Sequence, residues 1–155
     1  MAEAMVTKII TFDASHSLCV PEWSREKNIE TFHKCCFYKE GEVDQNHGHT
    51  YKLEVTVAGN VDYDTGYVID FKILKKHMVA VTDELDHHYI NEHPHFKDNK
   101  INPTAENIVQ YLGNKLAALI NTPQYRVHQL RLWETPDSFA TYHGFGTHEW
   151  DDIHP

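Results

Sequence analysis

The stretch "HTYKLEVTVAG" (His49–Gly59) decides the fold, because apolar and polar residues alternate along its length. The apolar set is Tyr51, Leu53, Val55 and Val57, and the polar set between them is Thr50, Lys52, Glu54 and Thr56. Strict alternation of this kind is typical of a β-strand that buries one face and exposes the other to water. The sequence therefore predicts a sheet with one buried face, which other elements must cover.

Two helices are predicted after this strand. The first begins after Asp70, a suitable N-cap, and its buried face is predicted to hold Ile73, Leu74, His77, Met78 and Val81. The second lies within 102–120, with Asn102 or Thr104 as N-cap, Pro103 in an early helical position and Glu106 in the first turn. The buried face of the second helix is predicted to hold Ile108, Val109, Leu112, Leu116 and Leu119.

Further strands are predicted at both ends of the chain. Met5–Leu18 is rich in β-branched and aromatic residues, Tyr125–Thr135 alternates again, and 139–144 is a candidate hairpin partner. The order β-β-α-α-β-β predicts an α+β domain, with two helices on one face of an antiparallel sheet. Cys19–Asn46 is a long polar connection, and 21–32 has the composition of a short helix. Connections of this length are commonly functional in compact domains.

Composition narrows the class of protein. The 155 residues suit a single domain spanning 1–155, and the net charge of −9 gives little support for nucleic-acid binding. The apolar stretches are too short to cross a bilayer, so we expect no membrane role. Three cysteines, two of them adjacent, make a poor disulfide framework and fit a reducing compartment. A cytoplasmic enzyme or binding protein is expected.

Three histidines form a candidate metal site. His47 and His49 flank a glycine where the alternating strand begins, so their rings project to one face. His16 falls near the end of the first strand, and antiparallel pairing would bring it beside them. Three neutral imidazoles with one open position are the ligand set of a catalytic zinc ion. The alternatives are surface histidines on the strand and a His16 that caps a turn.

Two further sites carry acidic residues that need a partner. Asp86 precedes His87 in "LDHHYIN", and a carboxylate beside an imidazole can fix its tautomer. Adjacent residues on a regular strand point apart, so this pair needs a turn or a contact across a subunit boundary; a solvated turn is the alternative. Glu134 ends an apolar strand, where a carboxylate is costly to bury without a partner. An exposed strand end is the alternative for Glu134.

Six segments together are similar to one protein family. They are "FDASHSL", "NHGHTYKLEVTVAG", "TGYVIDF", "LDHHYIN", "NPTAENI" and "WETPDSFATY". Their order resembles that of the 6-pyruvoyltetrahydropterin synthase family, from about Thr11 to Tyr142, and most closely its 6-carboxytetrahydropterin synthase branch. The resemblance implies the tunnelling fold, assembled into a ring-like homo-oligomer that is usually a homohexamer. It also implies that His16, His47 and His49 bind Zn²⁺.

The same resemblance implies catalytic roles. Asp86 and His87 match the family's catalytic pair, and His88 is a candidate on the substrate side. The family uses a cysteine as general base shortly before "HGH", but here "CFYKEGEVDQN" intervenes between "HKC" and that motif. Cys35 is the favoured base, with Cys36 and Glu42 as alternatives, since some relatives use a glutamate. A thiol close to a bound cation can act as a thiolate.

The substrate and product also follow from the resemblance. Glu134 matches the glutamate that anchors the pterin ring, whose adjacent N–H groups a carboxylate can bind bidentately, and Thr104 matches a supporting threonine. The expected reaction converts 7,8-dihydroneopterin triphosphate to 6-carboxytetrahydropterin, acetaldehyde and triphosphate, in the supply of deazapurines such as queuosine. One alternative is 6-pyruvoyltetrahydropterin synthase, or an aldolase-like relative. A non-catalytic zinc-binding module is another, but it leaves Asp86, His87 and Glu134 unexplained.

Overall fold

The structure is a computed structural model that describes residues 2–39 and 46–144. One antiparallel sheet contains four strands in chain order: β1 (Glu3–His16), β2 (His47–Asn60), β3 (Tyr125–Thr135) and β4 (Ser138–Tyr142). The helices are α1 (Arg25–Phe32), α2 (Phe71–Thr82), α3 (Pro94–Asp98) and α4 (Ala105–Ile120), and Ile90–Glu92 forms a 3₁₀ turn. The predicted α+β class and order are confirmed, and α1 lies within the 21–32 segment that has the composition of a short helix. The short α3 and the 3₁₀ turn are additions.

The alternating strand forms the centre of the core. Tyr51, Leu53, Val55 and Val57 are fully buried, on the face of the sheet that α2 and α4 cover. Burial of each such side chain contributes roughly 1.5–3 kcal/mol to folding. Gly59 is needed near the end of β2, because a Cβ there would lie 2.5 Å from the backbone oxygen of Gln124. None of the described helices combines the length and apolarity that crossing a membrane requires.

Both long helices begin at the predicted caps, with one correction. The Asp70 side chain accepts a hydrogen bond from Lys72 N at 2.7 Å, and that of Thr104 accepts one from Asn107 N at 3.3 Å. Thr104 is therefore the N-cap of α4. Pro103 precedes this cap, so the prediction that it lies inside the helix is wrong. The carbonyl oxygen of Pro103 instead contacts His16 at the end of β1.

Two predicted core residues are exposed. Ile73 on α2 is 50% exposed and Leu119 on α4 is 52% exposed. The buried stripe of α4 follows a spacing of four residues, through Leu112, Leu116 and Ile120, which leaves Leu119 beside the stripe rather than on it. Ile73 is excluded in the same way, because its neighbour Leu74 begins the buried row of α2.

The Cys19–Asn46 connection is anchored to the sheet close to the end of β1. Leu18 N donates a hydrogen bond to the Cys36 carbonyl at 2.8 Å, and Tyr38 N donates one to the Leu18 carbonyl at 3.3 Å. Asn28 is fully buried on α1, where its side chain both accepts from Val20 N at 2.8 Å and donates to Val20 O at 3.0 Å. β1 consequently ends at His16, earlier than predicted, and the two adjacent cysteines are held near it.

The assignment of buried and exposed positions on α4 can be tested directly. Leu116→Ala should lower the free energy of unfolding by about 2–5 kcal/mol, because it leaves a cavity in the core. Leu119→Ala removes the same atoms from the same helix at an exposed position, and should change it by less than about 0.5 kcal/mol. Urea unfolding followed by circular dichroism measures both. Equal losses would contradict the assignment.

Candidate functional site

The pairing of β1 with β2 brings the three predicted histidines together. His16 is directly opposite His47, and Ala14 is opposite His49, so all three rings lie on the helix-covered face. His16 is only 1% exposed, and its Nε2 lies 2.9 Å from His47 Nε2. β3 adds a carboxylate to the group, because Glu134 Oε1 lies 3.1 Å from His16 Nε2 and 3.1 Å from His49 Nε2. The four side chains offer ligand atoms within 4.8 Å of one another.

The tautomer of His16 is set by the segment before α4. Its Nδ1 lies 2.7 Å from the Pro103 carbonyl oxygen. A carbonyl can only accept a hydrogen bond, so Nδ1 carries a proton, and in the neutral ring it is Nε2 that has a lone pair for the cluster. This is the arrangement that orients metal-binding imidazoles in proteins, where the second ring nitrogen donates to a carbonyl or a carboxylate.

The donor set fits a divalent cation. With Nδ1 directed at the Pro103 carbonyl, His16 Nε2 faces both His47 Nε2 and Glu134 Oε1. Acceptor atoms this close are brought together favourably by a proton or by a metal ion between them. His49 Nε2 is buried and makes no well-formed hydrogen bond. Donors about 2.0–2.1 Å from a tetrahedral zinc ion lie about 3.3 Å apart, close to the separations seen here.

Burial and charge set the protonation of two cluster residues. Burial lowers the pKa of His49, with the neighbouring His16 and His47 acting in the same direction and Glu134 against them. The neutral imidazole is the form that binds metal. The pKa of Glu134 is also lowered, chiefly by its hydrogen bond with His16, although burial opposes this. A neutral His49 and an ionised Glu134 are thus both favoured, and each offers a lone pair to a cation.

Asp86 and His87 form a pair in a turn that follows α2. A turn is needed because adjacent residues on a regular strand would point apart. His87 Nδ1 lies 3.0 Å from Asp86 Oδ1, and His87 has a φ of 60°. The turn is held against the outer edge of β1: Asp13 N donates to Asp86 Oδ1 at 2.9 Å, and His87 N donates to the Asp13 carbonyl at 2.6 Å. The bond from Asp13 N lowers the pKa of Asp86, and the bond with His87 adds to this effect.

The pair and the histidine cluster lie on different faces of β1. Asp13 is exposed and His16 is buried, and three positions along a strand place two side chains on opposite faces. Asp13, Asp86 and His87 group their polar atoms within 4.8 Å on the exposed face. Asp13 and His87 line a cavity of about 470 Å³ with His88 and Tyr89. Among the cluster residues, His49 alone is found in its lining.

The three candidates for the base are Cys35, Cys36 and Glu42, and the structure describes the surroundings of the two cysteines. The Sγ atoms of Cys35 and Cys36 are 3.4 Å apart, with Cys35 exposed and Cys36 half-buried. Burial raises the pKa of Cys36 to about 11, and the contact with Cys35 adds to the rise. Cys36 is therefore a thiol near neutral pH, which makes it the weaker candidate. Glu42 lies outside the described residues.

Two contributors to the site were missed by sequence reasoning. Asp13 holds the Asp86–His87 turn, and Thr50 Oγ1 donates to Asp13 Oδ1 at 2.5 Å. Pro103 contributes its carbonyl oxygen to His16. The alternation of "FDASHSL" does place Asp13 on the exposed face. Its partner Asp86 is 73 residues away in the chain, however, and no local pattern identifies that contact.

Metal binding by the cluster can be measured without any assay of activity. His16→Ala and His49→Ala should each weaken binding of Zn²⁺ and Co²⁺ by at least about 100-fold, the upper end of the loss when even a supporting group is removed. His77→Ala on α2 is the matched control and should leave the affinity unchanged. Equilibrium dialysis with metal analysis gives the three affinities. Unchanged binding in the cluster variants would place the metal elsewhere.

Comparison with known proteins places this chain in a family. The family model described as 6-pyruvoyl tetrahydropterin synthase matches residues 5–144. The 6-pyruvoyl tetrahydrobiopterin synthase of Pongo abelii is 34% identical over 144 residues, which cover 92% of each chain. The 6-carboxy-5,6,7,8-tetrahydropterin synthase of Bacillus subtilis (strain 168) is 29% identical over 125 residues, which cover 78% of this chain and 84% of that enzyme.

A solved structure agrees with the sequence matches. The structure of Caenorhabditis elegans 6-pyruvoyl tetrahydropterin synthase superposes with a TM-score of 0.81 at 32% identity, covering 93% of this chain and 97% of its own. The family match spans nearly the whole described chain and includes every element of the sheet. The chain therefore belongs to the 6-pyruvoyl tetrahydropterin synthase family and has its tunnelling fold.

Proposed function

We propose that this chain is a zinc-dependent 6-carboxy-5,6,7,8-tetrahydropterin synthase. It would convert 7,8-dihydroneopterin triphosphate and water to 6-carboxytetrahydropterin, acetaldehyde and triphosphate. The observation that carries the proposal is the convergence of His16, His47 and His49 with Glu134, in a chain that also forms the Asp86–His87 pair. The motifs "LDHHYIN" and "NPTAEN" support the carboxy branch.

Zinc is the cation that the donor set favours. Three imidazoles leave a position for substrate, whereas structural zinc sites are usually closed by four protein ligands. When bound, zinc supplies Lewis-acid polarisation of the substrate's side-chain oxygens. The chain's own contribution is to fix the donors: the Pro103 carbonyl sets the tautomer of His16, and burial keeps His49 neutral.

The remaining residues bind the pterin and move protons. Glu134 and Thr104 would anchor the ring, and Thr104 can do so while its side chain also caps α4. Cys35 would remove a proton from the substrate side chain, since it is exposed while Cys36 is held as a thiol. His87 would transfer a second proton through Nε2, because Asp86 engages its Nδ1. His88 lines the same cavity and is a candidate contact for the substrate.

The location of the pair supports a shared active site. The histidine cluster lies on the buried face of β1, whereas Asp86 and His87 are grouped with the exposed Asp13 on the other face of the same strand. Within one chain, His49 reaches the cavity that His87 lines, but His16 and His47 do not. We therefore propose that the pair of one protomer serves the cluster of its neighbour, in a ring-like homo-oligomer such as a homohexamer.

A second candidate is the 6-pyruvoyltetrahydropterin synthase reaction, which eliminates triphosphate without cleaving the side chain. The observation that favours it is the higher identity to the Pongo abelii enzyme, 34% against 29% for the Bacillus subtilis enzyme. The two reactions share the metal, Glu134 and the catalytic pair. They differ in whether a carbon–carbon bond of the side chain breaks.

Product identification separates these reactions and names the base. The zinc-loaded protein is incubated with 7,8-dihydroneopterin triphosphate, and the products are identified by mass spectrometry. We expect 6-carboxytetrahydropterin with acetaldehyde, and a loss of about 10²–10⁴-fold in kcat for Cys35→Ala. Cys36→Ala is the control at the adjacent thiol and should retain activity, as should Glu42→Gln. A pterin with an intact pyruvoyl side chain would assign the second reaction instead.

The shared site can be tested by mixing inactive protomers. His16→Ala and His87→Ala chains should each be inactive alone, but co-assembled oligomers should regain up to about a quarter of wild-type activity, because random mixing leaves that share of shared sites intact. A mixture of His16→Ala with His49→Ala is the control, and it should stay inactive because both changes affect the same cluster. Mixed oligomers that regain nothing would show that each chain uses its own pair.

A further inference from the structure

Glu134, the residue proposed to anchor the pterin ring, is in direct contact with the histidines of the cluster. Its Oε1 lies 3.1 Å from two cluster nitrogens, His16 Nε2 and His49 Nε2. The carboxylate is also close enough to His47 for the two charges to interact. With Glu134, the cluster has four donors instead of the three that a catalytic zinc site needs.

We infer that Glu134 alternates between two partners: its carboxylate is the fourth ligand of the metal when no pterin is present, and it leaves the metal when it binds the pterin ring. This inference rests on the proposed function, because it takes the pterin as the second partner. The substrate itself would then open the coordination position that it uses. The site would be closed at rest and open only when occupied.

The two partners compete because they use the same oxygens. Bidentate recognition of adjacent N–H groups on a pterin occupies both oxygens of a carboxylate. Oε1 is the atom that faces His16 and His49. A carboxylate that binds the ring with both oxygens therefore cannot keep Oε1 in the cluster. Among the described residues, no second acidic side chain belongs to this group that could replace Glu134.

The backbone at Glu134 is suited to such a movement. Leu130 and Leu132 are fully buried on the helix-covered face, and Glu134 continues this series at the end of β3. The register between β3 and β4 shifts between Trp133 and Thr135, immediately around Glu134. Irregularities of this kind redirect side chains at the ends of strands, often beside functional sites. The carboxylate is thus attached at the point where the pairing of β3 with β4 is irregular.

Competition of this kind has a thermodynamic consequence. If bound pterin removes one ligand from the metal, then metal must weaken pterin binding by the same factor as pterin weakens metal binding. The coupling is a property of the binding equilibria and needs no turnover. It can therefore be measured with a pterin that cannot react.

The experiment uses the full chain loaded with Co²⁺, whose visible spectrum reports the ligands of the ion. The probe is 2-amino-4-oxopteridine, which lacks a side chain and so offers the metal no side-chain hydroxyl groups. We expect Glu134→Gln to bind Co²⁺ and Zn²⁺ at least about tenfold more weakly than wild type, and to have a different cobalt spectrum. Saturating the wild type with the probe should move its spectrum toward that of Glu134→Gln. Glu106→Gln, at an exposed position of α4, is the control and should match the wild type in both measurements.

Three results would overturn the inference. Equal metal affinities and spectra for wild type and Glu134→Gln would show that the carboxylate is not a ligand. A wild-type spectrum that does not change, although dialysis shows the probe bound, would show that Glu134 stays on the metal. Failure of the probe to bind would remove the second partner. If the spectra behave as expected but 7,8-dihydroneopterin triphosphate is not turned over, the exchange stands and the proposed reaction is wrong.

Discussion

The antiparallel register between β1 and β2 is the constraint on which the rest of this structure depends. It places His16 opposite His47 and Ala14 opposite His49. A shift by a single residue would turn one strand's side chains to the other face and separate His16 from its partners. Register is strongly specified here because Phe12 on β1 and Tyr51 on β2 are paired, stacked and buried. The same apolar packing that folds the sheet therefore assembles the candidate metal site.

Much of the fold could be predicted from periodicity, because each strand and long helix exposes one face. Tyr125–Thr135 was predicted with the bounds that β3 has, and Asp70 and Thr104 cap their helices. The errors lie where periodicity is least decisive, next to a buried row. Ile73 and Leu119 are apolar and lie next to the buried rows of α2 and α4, yet about half of each side chain is exposed.

The candidate site was harder to predict, for a physical reason. Motifs identify residues whose side chains do chemistry, but several groups that orient those residues are backbone atoms. The Pro103 carbonyl fixes the tautomer of His16, and Asp13 holds the Asp86–His87 turn through its main-chain N–H and carbonyl. Backbone atoms carry no sequence signal, and these contacts join residues 73 and 87 positions apart. They become visible only when the chain is folded.

The wide spacing of the cluster residues along the chain also affects how the protein folds. The donors come from β1, β2 and β3, so no short segment of the denatured chain contains the site. Contacts of such long sequence separation form at a large cost in loop-closure entropy, and proteins rich in them fold slowly. A cation that binds only the assembled cluster stabilises the native state by mass action and leaves the denatured state unaffected. The concentration of free metal around the newly made chain thereby becomes one of the variables that set how much of it is folded.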